Sequence, residues 1–515
     1  MSYTIFESEV AKVNDILCAV NLLTWDSRTM MPPGGVDARG KQIATLVGLA
    51  RDIATGDRMM KAIESAGADT DGDHLKSAAV EQAAASIGVL SRIPARLVSA
   101  AAELKTNAQA AWKQARSVDD FAAFAPWLER TMEMQREIAS AIGYGAHPYD
   151  ALVSTYEPEM TWAKLQELYG DLQKSLGPLL AEARQAPPVR AEILDRAYPV
   201  DRQRAFSSMI SERFGYDFNR GRLDDTVHPF EISFTSADVR ITGRFREDWL
   251  PGGLFAVWHE AGHGMYEQGV AERFTRSTFT TDFINLYAVG GSSFGTHESQ
   301  SRLWENRVGR SRRFWELHFG ELRSLFPEQL ADVSVEDFWR VVNAPRPSLI
   351  RVEADELTYD LHIMLRSEIE AGLMAGEIRV SDLPVIWRDK MRSYLGLDVP
   401  SDTLGVLQDV HWSSGMVGSF PTYTIGNIMS SQFFASAKAV PAVEAGLDNG
   451  DYAPLKTWLS ENIHQYGRSR TPMELLEQAT GSPLSTADYI GDLKRKVVEL
   501  AASNLAAGDE PDLLA

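Results

Sequence analysis

Apolar residues in the first 215 positions of the chain recur at spacings of three and four, the period of one helix face. Alanine, leucine, glutamate and lysine dominate these stretches, and all four residue types favour helix. The pattern is interrupted at short segments rich in proline, glycine and aspartate, namely MPPGG, ADTDGDH, YGAHPYD and APPV. Because no interruption is long, we expect one large helical body without extended linkers.

One later segment follows a different period. Its apolar residues alternate with polar ones on both sides of a short polar TSAD segment, at Phe230, Ile232, Phe234, Val239 and Ile241. Alternation on both sides of a short turn predicts a β-hairpin. We therefore predict an all-α, mainly helical fold with one small β-hairpin.

The helical pattern returns at residue 251 and predicts a helix through LFAVWHEAGHGMYEQ that ends at Gly269. Further helices are predicted over 297–324, 335–343, 353–374, 381–394, 424–438 and 483–502. The tail, residues 506–515, is expected to fray.

Composition and charge exclude several classes of protein. The chain has 515 residues, 44% hydrophobic and 24% charged, which is typical of a globular protein. Its net charge of -20 argues against binding to nucleic acid or to anionic membrane surfaces. No apolar run reaches the roughly 18 residues that a membrane span requires. The single cysteine excludes an intrachain disulfide, and no secretory signal is present, so we expect a cytoplasmic protein.

The predicted helix that ends at Gly269 contains the pattern H-E-x-x-H. His259 and His263 are four residues apart, so they share one helix face with Cβ atoms about 6 Å apart. Glu260 is rotated by about 100° from His259 and can reach a water molecule held by an ion between the histidines. This arrangement is typical of zinc peptidases.

The surroundings favour a metal site over a helix with two incidental histidines. Leu254, Phe255, Val257 and Trp258 make the helix strongly apolar. Burying two imidazoles and a carboxylate there without partners would cost several kcal/mol. A bound metal ion would offset that cost.

A catalytic zinc ion needs a third protein ligand and an open fourth position. The metzincin pattern is excluded because Tyr266 and Gly269 stand where it requires glycine and histidine. The downstream segment THESQSRLWENRVGRS offers three candidates, Glu298, Glu305 and His297. Spacing alone does not choose among them.

Six segments together resemble one family along nearly the whole chain. They are LLTWDSRTMMPPGG, HPFEISFTSADVRITGRF, HEAGHGMYEQG, HESQSRLWEN, IRVEAD and GVLQDVHWSSGMVGSFPTYTIGN. The chain resembles the carboxypeptidase Taq family of zinc metallocarboxypeptidases. One departure is the segment between the second and third expected ligands, which is longer than the resemblance leads us to expect.

The resemblance implies that Glu298 is the third zinc ligand. It also implies a two-lobed molecule with a deep central groove, in which 1–505 form one domain with an N-terminal lobe of about 1–225 and a zinc-binding lobe of about 226–505. A homodimer is implied, with one zinc ion per chain, and the same ligands can also hold cobalt. The implied activity is release of single residues from peptide C-termini with broad specificity.

In the expected hydrolysis, zinc lowers the pKa of its water, and Glu260 accepts the proton and passes it to the leaving amine. Tyr423 and His411 are candidate donors to the tetrahedral oxyanion, although both could be structural. By resemblance, Arg351 is expected to bind the substrate carboxylate, with Arg240 as second choice. A free edge of the predicted hairpin could also pair with the peptide backbone.

Two alternatives remain open at this stage. A helical zinc endopeptidase or oligopeptidase would share every zinc residue and lack only the carboxylate-binding arginine and a closed groove end. A non-catalytic peptide-binding protein would be expected to have a damaged H-E-x-x-H pattern or no third ligand, and the chain has neither defect.

Overall fold

The computed structural model describes residues 2–502, and the predicted frayed tail at 506–515 lies outside them. The chain is 69% helical, which confirms the predicted fold class. No helix in the described part is long and apolar enough to cross a bilayer. The α-helices of the described residues, numbered in chain order, are α1 Ser2–Thr29, α2 Val36–Thr55, α3 Asp57–Gly67, α4 His74–Arg92, α5 Ala95–Ser117, α6 Phe121–Ile142, α7 Pro148–Tyr156, α8 Trp162–Ala183, α9 Val200–Phe214, α10 Leu250–Gly269, α11 Phe294–Arg302, α12 Arg312–Leu325, α13 Val335–Asn343, α14 Tyr359–Ala375, α15 Leu383–Leu395, α16 Pro421–Lys438, α17 Pro441–Asn449, α18 Ala453–Asn462, α19 Pro472–Thr480 and α20 Ala487–Ala502.

Most predicted helix boundaries lie within four residues of the observed ones. The helix predicted from residue 353 begins only at Tyr359, and one long prediction is wrong. The predicted helix 297–324 is divided into α11, a π-helix at Leu303–Gly309, and α12. The side chain of Ser311 accepts a hydrogen bond from the backbone of Phe314 and begins α12 anew. Helices α17 to α19 were not predicted, although the similarly short α13 was.

The predicted hairpin is confirmed and belongs to a three-stranded sheet. Strands β1 Leu223–Asp225, β2 Glu231–Thr235 and β3 Asp238–Gly243 lie in the order β1-β3-β2. Strand β1, which runs parallel to β3, was not predicted because three residues show no alternation. A second, two-stranded sheet pairs β4 Thr281–Asp282 with β5 Tyr287–Ala288.

The outer edge of β2 is covered by helix α1 at one position, contrary to the expectation of a free edge. The side-chain amide of Asn21 donates hydrogen bonds to the backbone oxygens of Ser233 and Ala288, both at 2.9 Å. The side chain of Asn21 therefore competes with a substrate strand for the Ser233 carbonyl oxygen.

The chain forms two compact units, each assembled from separate stretches of sequence. Among the described residues, the first contains 2–92, Ala191–Val335 and Met429–Leu484. The second contains Ile93–Arg190, Glu336–Ile428 and 485–502. The predicted lobe boundary near residue 225 falls inside the middle stretch of the first unit, so these units are not the two sequential lobes of that prediction.

Aromatic packing holds helix α10 in the interior of the first unit. Trp258, which is fully buried, lies within 6.1 Å (ring centroids) of the neighbouring aromatic rings Phe206, Phe214, Phe255, Phe314 and Trp315. Each fully buried aromatic side chain stabilises the fold by about 1.5–3 kcal/mol. The helix that contains the H-E-x-x-H pattern therefore has a rigid apolar support on one face.

Candidate metal centre

Helices α10 and α11 approach each other closely because Gly262 has no side chain. A Cβ atom at this position would lie 2.6 Å from both the backbone oxygen of Gln300 and the Cα of Ser301. Gly264 similarly leaves room for the Tyr216 ring and for Ile241 of strand β3. The small residues between and beside the histidines thus permit close packing, which brings α11 within reach of the histidine side chains.

His259, His263 and Glu298 form a cluster that could hold a metal ion. One ligand atom from each lies within 4.8 Å of the others. The Glu298 Oε2 atom is 3.6 Å from His259 Nε2 and 3.5 Å from His263 Nε2. Ligand atoms around a tetrahedral zinc ion are separated by about 3.3 Å. The donor types and spacing therefore fit zinc or a similar divalent cation.

The other oxygen of Glu298 is already bonded. Arg302, one helical turn later, donates from Nε to Glu298 Oε1 at 2.7 Å. Although burial alone would raise the pKa of Glu298, Arg302 and His259 lower it well below its ordinary value. The carboxylate is ionised and presents only Oε2 to the two histidines.

Glu305, a second candidate for the third ligand, lies behind His259. Its Oε2 is 2.9 Å from His259 Nδ1, the nitrogen that faces away from Glu298. Burial alone would raise the pKa of Glu305, but Arg302 and the His259 hydrogen bond lower it to about 2. Glu305 bonds the Nδ1 atom of His259, on the side of the ring away from Glu298. The geometry therefore favours Glu298 over Glu305 as the candidate third ligand.

His297, the third candidate, lies behind His263. Its Nδ1 is 2.5 Å from His263 Nδ1, and its Nε2 is 3.0 Å from Glu267 Oε1. Both ring nitrogens of His297 are therefore bonded within the protein. Burial lowers the pKa of His263 to about 3, with the nearby His297 adding to the effect, so the imidazole of His263 is neutral.

Glu260 is buried beside this cluster. Burial raises its pKa to about 7, with Glu298 and Glu305 adding to the effect and His259 opposing it. A carboxylate with a pKa close to neutral pH can both accept and release a proton under physiological conditions.

Arg351 belongs to a separate charged cluster in the second unit. Its Nε and Nη2 donate to Asp409 Oδ1 at 3.2 and 3.1 Å, and its Nη1 donates to the Tyr359 hydroxyl at 3.0 Å. The other carboxylate oxygen, Oδ2, accepts from Arg366 Nε at 2.6 Å. Arg366 is fully buried. This cluster has two guanidinium groups for one carboxylate, so it has one surplus positive charge.

His411 and Tyr423 lie beside Arg351, although they are distant from it in sequence. The Arg351 guanidinium is 5.2 Å from the centre of the Tyr423 ring, and His411 Nε2 is 3.4 Å from the Tyr423 hydroxyl. Burial, followed by the charge of Arg351, lowers the pKa of His411 to about 4. His411 is therefore neutral at physiological pH and retains one N–H that can donate a hydrogen bond.

Arg240 is held by neighbours in and beside the three-stranded sheet. It donates to both carboxylate oxygens of Asp238 at 2.9 Å. Its guanidinium lies 4.5 Å from the Trp25 ring and 4.8 Å from the Phe234 ring.

Several residues that complete these clusters were not predicted from the sequence: Glu267, Arg302, Asp409, Arg366 and Glu231. The spacing contained a signal for two of them, since Glu267 follows His263, and Arg302 follows Glu298, by one helical turn. Asp409 and Arg366 are brought to Arg351 by tertiary packing alone. Glu231 is buried near Glu267 and Glu260, and burial, followed by these two charges, raises its pKa well above its ordinary value.

Comparison with known proteins decides the family. Residues 5–497 match the family model described as carboxypeptidase Taq (M32) metallopeptidase. The chain belongs to the carboxypeptidase Taq (M32) family. It is 39% identical over 502 residues to thermostable carboxypeptidase 1 of Thermus thermophilus, covering 93% of this chain and 95% of that protein. It is 36% identical over 487 residues to carboxypeptidase 1 of Bacillus subtilis, covering 94% and 95%.

The structural comparison agrees with the sequence comparison. The M32 carboxypeptidase from Deinococcus radiodurans R1 superposes with a TM-score of 0.93 at 38% identity, covering 97% of this chain and 99% of that one. Metallocarboxypeptidase 1 of Trypanosoma cruzi gives a TM-score of 0.89 at 34% identity, covering 96% and 99%. As an M32 member, this chain is a metallocarboxypeptidase, a hydrolase that acts on peptide bonds, and the endopeptidase alternative is not favoured.

Proposed function

We propose that this M32 carboxypeptidase is zinc-dependent and releases single residues from peptide C-termini with broad specificity. The observation that supports this most directly is the cluster of two histidine Nε2 atoms around one free carboxylate oxygen, at separations that suit a tetrahedral ion. The cluster lies beside a buried glutamate whose pKa is about 7.

His259, His263 and Glu298 would hold the ion through Nε2, Nε2 and Oε2. When bound, the ion supplies Lewis-acid polarisation of the scissile carbonyl and makes water more acidic. Glu260 accepts a proton from the attacking water and returns it to the nitrogen of the leaving amine. Arg302 keeps Glu298 ionised through its bond to Oε1.

We propose that Arg351 binds the C-terminal carboxylate of the substrate. Three of its N–H groups are used by Asp409 and Tyr359, and a guanidinium group has five. The two remaining N–H groups, together with the surplus positive charge of the cluster, suit a substrate carboxylate. Arg240 is the second choice, because Asp238 already holds its guanidinium on one side.

Tyr423 and His411 are the proposed donors to the oxyanion. Each has a hydrogen-bonding group beside Arg351, and the pKa of about 4 leaves His411 neutral with one N–H. Which of the two donates is a question for single substitutions of each residue.

The proposal also includes zinc as the native metal, a cytoplasmic location and a homodimer. Zinc is supported by the two imidazoles and one carboxylate, although cobalt suits the same ligands. The cytoplasm is supported by a chain with a single cysteine. The homodimer rests on family resemblance.

The decisive experiment combines metal analysis with product mapping. The purified protein should contain one zinc ion per chain, lose activity on treatment with a chelator, and regain it with zinc or cobalt. An N-terminally blocked peptide should be shortened one residue at a time from its C-terminus, as followed by mass spectrometry. Internal fragments would overturn the proposal in favour of an endopeptidase.

The Glu298→Gln variant tests whether Glu298 is a metal ligand. It keeps the size of the side chain but loses the charge that holds the ion, so zinc affinity should fall by about 10²-fold or more. Unchanged zinc affinity in this variant would show that Glu298 is not a ligand.

A further inference from the structure

We propose that His297 and Glu267 are positioning residues that hold the ring of His263 in the form whose Nε2 faces the metal. This inference rests on the proposed metal site. It assigns a role to His297 that differs from that of a metal ligand, and it gives Glu267 a part in the same arrangement.

The hydrogen bonds of the three residues have one consistent direction. If His263 binds a metal through Nε2, its proton must be on Nδ1, which then donates to His297 Nδ1 at 2.5 Å. His297 therefore has its own proton on Nε2, which donates to Glu267 Oε1 at 3.0 Å. The opposite direction would place the proton of His263 on Nε2 and block the metal.

Glu267 is held firmly enough to fix this direction. Its carboxylate accepts hydrogen bonds from the backbone N–H groups of Gly290 and Gly291 and from the Ser233 hydroxyl, at 2.8 to 3.0 Å. It therefore functions as an acceptor in every bond it makes. The ring of His297 is confined as well, because a Cβ atom on Gly291 would lie 2.4 Å from its Cδ2 atom.

The two histidine ligands are supported in different ways. His259 Nδ1 bonds a carboxylate directly, at 2.9 Å from Glu305. Within the described residues, His263 Nδ1 bonds a second imidazole, His297, which in turn bonds the Glu267 carboxylate. Outer hydrogen-bond partners of metal-binding histidines fix the ring orientation, and their loss typically lowers metal affinity by about 10- to 100-fold.

Two substitutions at residue 297 separate the hydrogen bond from the volume of the ring. Asparagine places its oxygen near the position of histidine Nδ1, so His297→Asn keeps an acceptor for His263. Glutamine places its amide near the position of Nε2, so His297→Gln keeps a donor to Glu267 and loses the acceptor. A purely space-filling role would make both variants equally defective.

The experiment measures the zinc dissociation constant of the full-length protein by competition with a chelating dye. His297→Gln should bind zinc about 10- to 100-fold more weakly than wild type, His297→Asn within a few-fold of wild type, and Glu267→Gln between the two. The visible spectrum of the cobalt-loaded variants gives a second readout, because a reoriented His263 changes the ligand field. Circular dichroism of the metal-free variants confirms that they fold.

His318 provides the matched control. It is buried in the same unit, and its ring nitrogens bond Tyr452 and Arg213. His318→Gln should lower stability and leave the zinc dissociation constant unchanged.

Equal losses of affinity in His297→Asn and His297→Gln, or wild-type affinity in both, would overturn the inference while leaving the proposed function intact. A wild-type protein that binds no divalent metal would overturn the proposed function and this inference together.

Discussion

The carboxylates of Glu298 in the first unit and Asp409 in the second both lie beside cationic or imidazole groups, but their oxygens are used differently. The pKa of each is held well below its ordinary value despite burial, Glu298 by Arg302 and His259, and Asp409 by Arg366 and Arg351. Glu298 gives one oxygen to an arginine and presents the other to two imidazoles. Asp409 gives both oxygens to arginines. One oxygen of Glu298 is thus available to the metal ion that we propose, whereas both oxygens of Asp409 are bonded to side chains.

The balance of charge also differs between the cluster around Glu298 and the cluster around Asp409. The carboxylates Glu298, Glu305 and Glu267 outnumber the nearby Arg302 and Arg310, so the first cluster suits a cation. In the second cluster two arginines share Asp409, so the remaining charge suits an anion. A peptide C-terminus is such an anion, and the following predictions test this division of roles.

The largest expected effect is that of Glu260→Gln. Glutamine cannot accept a proton, so kcat should fall by about 10²- to 10⁴-fold. Zinc content should not change, because Glu260 is outside the three-residue cluster. Steady-state kinetics and metal analysis of the same preparation check both points. Wild-type turnover by this variant would remove the proposed role of Glu260.

Asp409→Asn should destabilise the second unit. It leaves two buried arginines without a counter-charge, which costs about 3–5 kcal/mol in the free energy of unfolding. Hydrogen–deuterium exchange in α14, which contains Tyr359 and Arg366, reports this locally. The control Asp398→Asn removes an exposed partner of Arg392 in the same unit and should change the free energy of unfolding far less, because solvent screens an exposed ion pair. Similar protection of α14 in both variants would contradict a structural role for Asp409.

Arg351→Lys should weaken recognition of the free C-terminus. Lysine keeps the charge but loses the paired N–H groups, so kcat/KM for a free-acid peptide should fall by about 10- to 100-fold. Cleavage of the C-terminally amidated peptide should change much less. The half-buried Arg388, which is paired with Asp402, supplies the control variant Arg388→Lys. Equal losses with both peptides would exclude carboxylate binding by Arg351.

The smallest expected effect is on the pH dependence. Only ionised Glu260 accepts a proton, and its pKa is about 7 in the protein without metal. A bound cation stabilises the carboxylate, so kcat/KM should decrease toward acid through a pKa at or below about 7, by about tenfold per pH unit. Arg351→Lys should show the same acid limb. A profile without an acid limb would contradict this assignment.

The local pattern of the sequence predicted most of the secondary-structure elements and placed three of the candidate site residues on one helix. A period of 3.6 predicted most helices, alternation predicted the hairpin, and the spacing of His259, Glu260 and His263 placed their side chains on one helix. These are local properties, because residues within one turn of a helix have fixed relative positions.

Only the tertiary structure decided which acid faces the histidines and which residues surround Arg351. Glu298, Glu305 and His297 were equivalent by spacing, and they were separated by the close approach of α11 to α10 and by the π-helix after it. Asp409, His411 and Tyr423 meet Arg351 although more than fifty residues separate them from it in sequence. Periodicity specifies which face of an element is buried, but contacts between distant elements depend on how all the side chains of the interior pack together.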